Sequence, residues 1–392
     1  MNIKRIMTFT FVVAAIAAMA VGLSSCERIK SSMMPDAETP PMMDKEITIG
    51  VALGLTGVNA EPYGIPMQNG LELAREELNM LDGVNITFVT EDAKSTVEGA
   101  KDAVQALVNA KVPAIVGIGI STHLEQAFPI AQEAGVVAFS PISSGLDASG
   151  VGLSSLGDYI FRTGLTVDIL NSNGTMVTHG KLGYKKAALI YDAADTYSTS
   201  SNAAFEKTLM ALGVEVLPAE TFQTGDTDFS AQLTNIMSME PDTLFISALS
   251  TEMTQIITAA KGMDISAQLI IPDLTAKEIQ EVDGAAEGAI TFSGWFGMAD
   301  TPGNQDFVQA YMDEYDGVKP GPWAAQAYAT LHILANAIMN AQSPDAMGIR
   351  DALAQTMNLP TILGNFSFDA NGEAVYDPIV FMVKDGALQL FE

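Results

Sequence analysis

The residues best placed to do chemistry lie between Val116 and Gly145, VGIGISTHLEQAFPIAQEAGVVAFSPISSG. An apolar run from Pro113 to Val116 ends in a small polar turn with Gly117, Gly119, Ser121 and Thr122, and a helical pattern follows through Glu133. A second apolar run, Val136 to Phe139, ends in Ser140-Pro-Ile-Ser143-Ser144-Gly145. Two successive parallel strands of this kind deliver hydroxyls and free backbone N–H groups to one edge of a sheet, the edge at which open α/β sheets bind ligands. A helix opening there directs unsatisfied N–H groups and a partial positive charge at its neighbour. That arrangement suits a carboxylate or a phosphate. The same residue types also make ordinary N-caps and turns, and read alone the two loops fit either use.

Enzymatic chemistry is poorly supplied. No Gly-x-Ser-x-Gly pentapeptide occurs, which a doubly wound hydrolase would need. Gly117-Ile-Gly119 lacks the third glycine of a dinucleotide fingerprint, and there is no Gly-Lys-Ser/Thr phosphate loop. Of three histidines, His179 and His332 fall on predicted helices away from strand ends, poor positions for general-base work. The chain is expected to be no enzyme and to use no cofactor and no metal.

The elements that must position these loops alternate regularly. Ile47 to Leu53 reads as a strand, 65–81 as a helix with Leu71, Ala74, Leu78 and Leu81 on one stripe, 86–90 as a strand and 96–109 as a helix. The two units of the Val116–Gly145 stretch follow, then a short strand over 158–162 and a helix over 167–179. The pattern restarts with strands at 186–191, 214–220, 244–247, 269–271 and 288–292, separated by helices. Unbroken alternation predicts parallel sheets covered on both faces, and the restart near residue 163 predicts two of them. Helices over 304–315, 322–341 and 344–357 and short strands over 364–368 and 379–383 complete the chain.

The first residues bear on location. Lys4 and Arg5 precede an uncharged run from Ile6 to Ser25, ending Leu23-Ser24-Ser25-Cys26. The run is long enough to span a membrane, but its Ala-, Gly- and Ser-rich tail favours a secretory signal. The sole cysteine stands immediately after it, as in the lipobox of bacterial lipoproteins, which this stretch resembles. Residues 1–25 are thus expected to be a lipoprotein signal peptide, Cys26 the lipidated residue, and 26–46 a Pro- and Met-rich flexible tether. Without Lys4 and Arg5 the chain carries 17 basic against 47 acidic residues. A surface so negative repels nucleic acid and anionic headgroups, so the expected membrane attachment is through lipid only. The roughly 345 residues after the tether exceed one ordinary core and predict two domains.

The order of pieces resembles the leucine/isoleucine/valine-binding family, the type I solute receptors of ABC importers. The markers are Thr56-Gly57, Asn69-Gly70, Ser140-Pro141, Asp192 to Tyr197, Asp228-Phe-Ser230, Ala285-Ala-Glu-Gly288 and Gly321-Pro322, spread over Ile47 to Glu392. The resemblance implies two doubly wound α/β lobes joined by three crossovers, one of about 47–162 plus 294–362 and one of about 163–293 plus 363–392. It implies an exported, membrane-anchored monomer, facing the periplasm or cell exterior, that closes on an amino acid, branched-chain or small apolar, and delivers it to a permease. The same fold also serves amides, urea and aromatic acids, and extracellular sensing.

Carried over by position, Ser121 matches a residue holding the ligand α-carboxylate, and Ser143 and Ser144 match its neighbours on the next loop. Tyr63 matches an aromatic residue across the cleft mouth, Tyr197 a tyrosine of the second lobe, and Asp273 the acid that pairs with the α-ammonium. Asp273 follows Ile-Ile-Pro at a strand end, so an ammonium would relieve a carboxylate that is costly to bury alone. A second-lobe aromatic of the family is replaced by Leu249. His123 is expected to be an exposed helix residue or otherwise a pocket-wall residue, and Trp295 and Trp323 packing or hinge-side residues.

Overall fold

The computed structural model describes residues 45–81, 84–147 and 149–392. The expected signal peptide, Cys26 and the tether through residue 44 lie outside the described residues.

The first half runs β1 (Lys45–Leu53), α1 (Ile65–Asn79), β2 (Val84–Asp92), α2 (Val97–Asn109), β3 (Ala114–Gly117), α3 (Ser121–Ala134), β4 (Val137–Ser140) and β5 (Ile160–Arg162). Its five strands form a parallel sheet in the order β2-β1-β3-β4-β5. Strand residues alternate between faces, as the pleat requires: Val116, Val137 and Phe139 join one core, Ile115 and Ala138 another. β1 begins before Ile47, because Lys45 and Glu46 pair with Val84 and Asn85. The last two positions assigned to the tether are therefore strand, recruited by the backbone ladder and not by any apolar pattern.

After α4 (Val167–Leu182) come β6 (Lys186–Asp192), α5 (Thr196–Ala211), β7 (Glu215–Val216), β8 (Glu220–Phe222), α6 (Ser230–Ser238), β9 (Thr243–Ser247), α7 (Ser250–Gly262), β10 (Gln268–Ile270), α8 (Ala276–Glu281) and β11 (Ile290–Ser293). The single strand expected over 214–220 is split into β7 and β8, both pairing with β6. Pro218 between them has no N–H to continue a ladder.

The chain then passes back to the first lobe through α9 (Asn304–Glu314), α10 (Pro322–Asn340) and α11 (Ala346–Ala354). α1 and α10 approach so closely that a Cβ on Gly70 would lie 2.1 Å from the Ala324 carbonyl oxygen. β12 (Leu359–Thr361), β13 (Gly364–Phe368) and β14 (Ala374–Val375) form a small antiparallel sheet. Last, β15 (Ile379–Lys384) and β16 (Ala387–Leu390) extend the second sheet antiparallel, in the order β16-β15-β11-β10-β9-β6 with β7 and β8 at the far edge. The division expected at 362/363 falls inside the small sheet. β13 pairs with β12, and Phe368 packs on Phe139 and Phe161. Residues 363–375 are thus held to the first lobe, and the chain re-enters the second sheet only at Ile379. The result is two α/β lobes joined by three crossovers.

Candidate functional site

Six loops that follow the C-terminal ends of strands converge between the lobes: those after β1, β3 and β4 on one side, and after β6, β9 and β10 on the other. This is the edge where open α/β sheets take ligands. Tyr63, Ser121 and Ser144 from the first lobe and Tyr197 and Asp273 from the second line one cavity there. It takes in about 460 Å³ outside the protein atoms, the solvent at its mouth included, a volume of small-molecule scale.

The carboxylate-suited half is built from the loops after β3 and β4. The chain leaves β3 through Gly117 at φ 139, where a Cβ would meet the Ala52 oxygen at 1.9 Å. Ile118 follows at φ 44, a strained conformation for a β-branched residue of the kind that clusters at ligand clamps. α3 then opens at Ser121 with no side-chain cap and no acidic residue in its first turn. Ser143 does not line the cavity. It lies beneath, with its Oγ 2.9 Å from Ser121 Oγ. The Gly145 N–H donates to Ser121 Oγ at 3.0 Å, and Ser140 Oγ donates to the Ile118 carbonyl at 2.9 Å. The two loops are thereby stitched into one unit. Behind them Arg162, almost fully buried, donates to the Gly145 carbonyl at 2.6 Å and pairs with Glu373.

The opposite end is acidic. Asp273 sits at φ 57, a left-handed conformation that Asp tolerates better than most residues. Its N–H donates to the Phe292 carbonyl at 3.0 Å, so backbone fixes the turn and the carboxylate is left over. Among the described residues no hydrogen bond is donated to that carboxylate, and the residue is half-buried in the cavity wall; burial, and after it the neighbouring Glu278, push it up to about 8. Burial also raises Glu278, against hydrogen bonds from Ser250 and Thr275. Tyr63 and Tyr197 are raised well above the usual phenol range, chiefly by burial, and so remain neutral. Among the described residues no Lys, Arg or His lines the cavity.

Apolar groups form the remaining wall: Ile120, Ile142, Ala248, Leu249, Met253 and Trp323. Trp323, expected to be a packing residue, is thus a wall residue beside Tyr63, with ring centroids 5.8 Å apart. Trp295 is buried against Phe307, its indole N–H donating to Asn304 at 2.7 Å. His123 is half-buried in a smaller recess with Asn59 and Ser95, outside the main cavity. Glu278 was absent from the expected set, although Thr275-x-x-Glu278 has capping-box spacing and a capping box folds its acid back to the helix start. Here the Thr275 N–H donates to Glu278 Oε2 at 2.8 Å.

The lobes also touch directly. The Ser250 N–H donates to Tyr63 Oη at 2.8 Å. Thr122 Oγ1 donates to Asp195 at 2.7 Å and accepts from the Thr196 N–H at 2.8 Å.

Comparison with known proteins agrees with this geometry. The model of the family described as periplasmic binding protein matches residues 46–387. The chain belongs to that family. Its members are extracytoplasmic solute receptors that serve ABC transporters, and the family is not one of enzymes. This binding protein is 27% identical over 361 residues to a Leu/Ile/Val-binding protein homologue of Brucella abortus, covering 88% of this chain and 94% of the relative. Among solved structures it resembles a leucine-binding protein of Thermotoga maritima (TM-score 0.82, 26% identity, 88% of this chain and 98% of that one). It also resembles a branched-chain amino acid transporter substrate-binding protein of Streptococcus pneumoniae in complex with isoleucine (TM-score 0.80, 29% identity, 88% and 98%).

Proposed function

We propose that this binding protein is the substrate-binding component of an ABC importer and that it captures an amino acid with a branched or small apolar side chain. The observation that carries the reading is the unpartnered Asp273 carboxylate, in a cavity that no cationic residue lines among the described residues and that also takes in the uncapped start of α3. A zwitterion satisfies both ends at once, with its ammonium at Asp273 and its carboxylate at the backbone N–H of Ser121 and at the hydroxyl of Ser144, which turns to it from the Ile142 carbonyl. Phosphate is disfavoured because two acids oppose it. Ile142, Leu249, Met253 and Trp323 then enclose the side chain. Leucine and isoleucine, the ligands of the two similar structures, have this chemistry. Hinge closure brings the lobes together, and the closed form is what a permease reads. Cys26 carries a lipid anchor after removal of residues 1–25, and the protein acts as a monomer.

A thermal-shift panel of amino acids, amides, urea and aromatic acids tests the class. A ligand that binds only the folded form raises the melting temperature by mass action, by about 2.7 kcal/mol of stability at 100 times Kd. Stabilisation by leucine, isoleucine or valine and none by benzoate is expected; stabilisation by an aromatic acid or amide alone would overturn the assignment.

A further inference from the structure

We propose that Glu278 is a second determinant of charge specificity: with Asp273 it makes one end of the cavity doubly acidic, so that the cleft accepts ligands bringing a positive charge and rejects carboxylic acids of the same shape without one. The inference rests on the amino-acid reading. Both acids line the same cavity, and no cationic side chain lines it with them. The nearest lysine in sequence, Lys277, is turned outward, its Nζ donating to the Glu61 carbonyl at 3.2 Å and lying 3.9 Å from Glu281. The groups facing Glu278 are the hydroxyls of Ser250 and Thr275, the neutral phenol of Tyr63 and the carboxyls of Asp273 and Glu281, none of them positive. Glu278 is only 3% exposed, so solvent does little to screen it. A like charge so placed penalises an ionised Asp273, and a carboxylic acid ligand adds a third negative charge to a low-dielectric site. An ammonium relieves both acids together. Asp273 makes the contact, and Glu278 sets how much the contact is worth.

The test compares L-leucine with 4-methylpentanoate, the same molecule with hydrogen in place of the ammonium, by isothermal titration at one pH. The wild type, Glu278→Gln, Glu278→Leu and Ser250→Ala are titrated side by side, with melting temperatures as a folding check. The wild type is expected to bind leucine far more tightly. Both neutral variants are expected to narrow the leucine-to-4-methylpentanoate affinity ratio by about tenfold or more. Gln keeps an oxygen for the Thr275 N–H, so the helix start survives, and the Leu variant supplies a second neutral side chain. Ser250→Ala, which leaves the charge and removes one hydrogen bond to it, is expected to keep the wild-type ratio. An unchanged ratio in the neutral variants overturns the proposal, as does the same narrowing in Ser250→Ala, which would make Glu278 a positioning residue only. Where the thermal-shift panel selects valine or isoleucine over leucine, that amino acid and its deaminated acid replace the pair; a wild type that binds the acid as well as the amino acid overturns the amino-acid reading itself.

Discussion

At the scale of single residues, Asp273 decides most. Burial, and after it Glu278, push its carboxyl up to about 8, against an ordinary 3.8. A group that holds its proton more tightly in the closed form stabilises that form as pH falls through this window, and the stabilisation is lost as pH rises through it. A bound ammonium keeps the carboxylate ionised, so binding releases the proton over the same window. Amino-acid affinity should therefore rise with pH toward about 8, by at most about tenfold per unit. Calorimetric titration in buffers of different ionisation heat should show protons released on binding. Asp273→Asn should bind amino acids at least about a hundredfold more weakly, the scale of one lost buried charge pair, and its residual affinity should be flat with pH; a retained slope would move the titrating group elsewhere. Ser121 contributes differently, since its hydroxyl is spent on Gly145 and Ser143 and its backbone N–H is what remains for a ligand.

At the scale of elements, the loop after β4 is hung from the last strand of its own sheet. Arg162 on β5 reaches the Gly145 carbonyl and is balanced by Glu373, which stands just before β14. Glu373→Ala leaves a buried guanidinium without its partner and should cost roughly 3–5 kcal/mol, read by urea unfolding, with ligand affinity falling alongside as the loop loosens. A stability unchanged within error would show that Arg162 finds another partner. The contact between α1 and α10 is equally specific. Gly70→Ala sets a methyl group against the Ala324 carbonyl and should cost about 1–3 kcal/mol by overpacking, measured by the same unfolding transition and without effect on ligand selectivity.

At the scale of the whole molecule, closure is written in the bonds that cross between lobes. Tyr63 Oη accepts from the first N–H of α7, and Thr122 on α3 meets Asp195, the N-cap of α5. Both join helix starts or caps, so each forms only when the loops of the two lobes come together. Tyr63→Phe removes one such bond and keeps the ring against Trp323. One neutral hydrogen bond is worth about 0.5–1.5 kcal/mol, so ligand dissociation in a stopped-flow displacement should quicken by roughly two- to tenfold while association changes little. A slowed association instead would place Tyr63 on the entry path.

Much of this was legible in residue order. The strand–helix alternation, the restart near 163 and the small polar loops after Val116 and Phe139 follow from local periodicity, which the backbone must obey whatever lies across from it. Five of the six expected ligand-site residues reach the cavity because each ends or follows a strand, and strand ends share one sheet edge. What local pattern does not carry is who stands opposite. The strand start at Lys45, the hold of residues 363–375 on the first lobe, the step of Ser143 beneath the cavity, the wall position of Trp323 and the pairing of Glu278 with Asp273 all depend on contacts between segments far apart in the chain. By itself the sequence determined two parallel-sheet lobes and a carboxylate-suited helix start. Only the tertiary structure decided that an uncompensated pair of acids faces that start across a closed cavity, because the charge environment of a side chain is set by its neighbours in space.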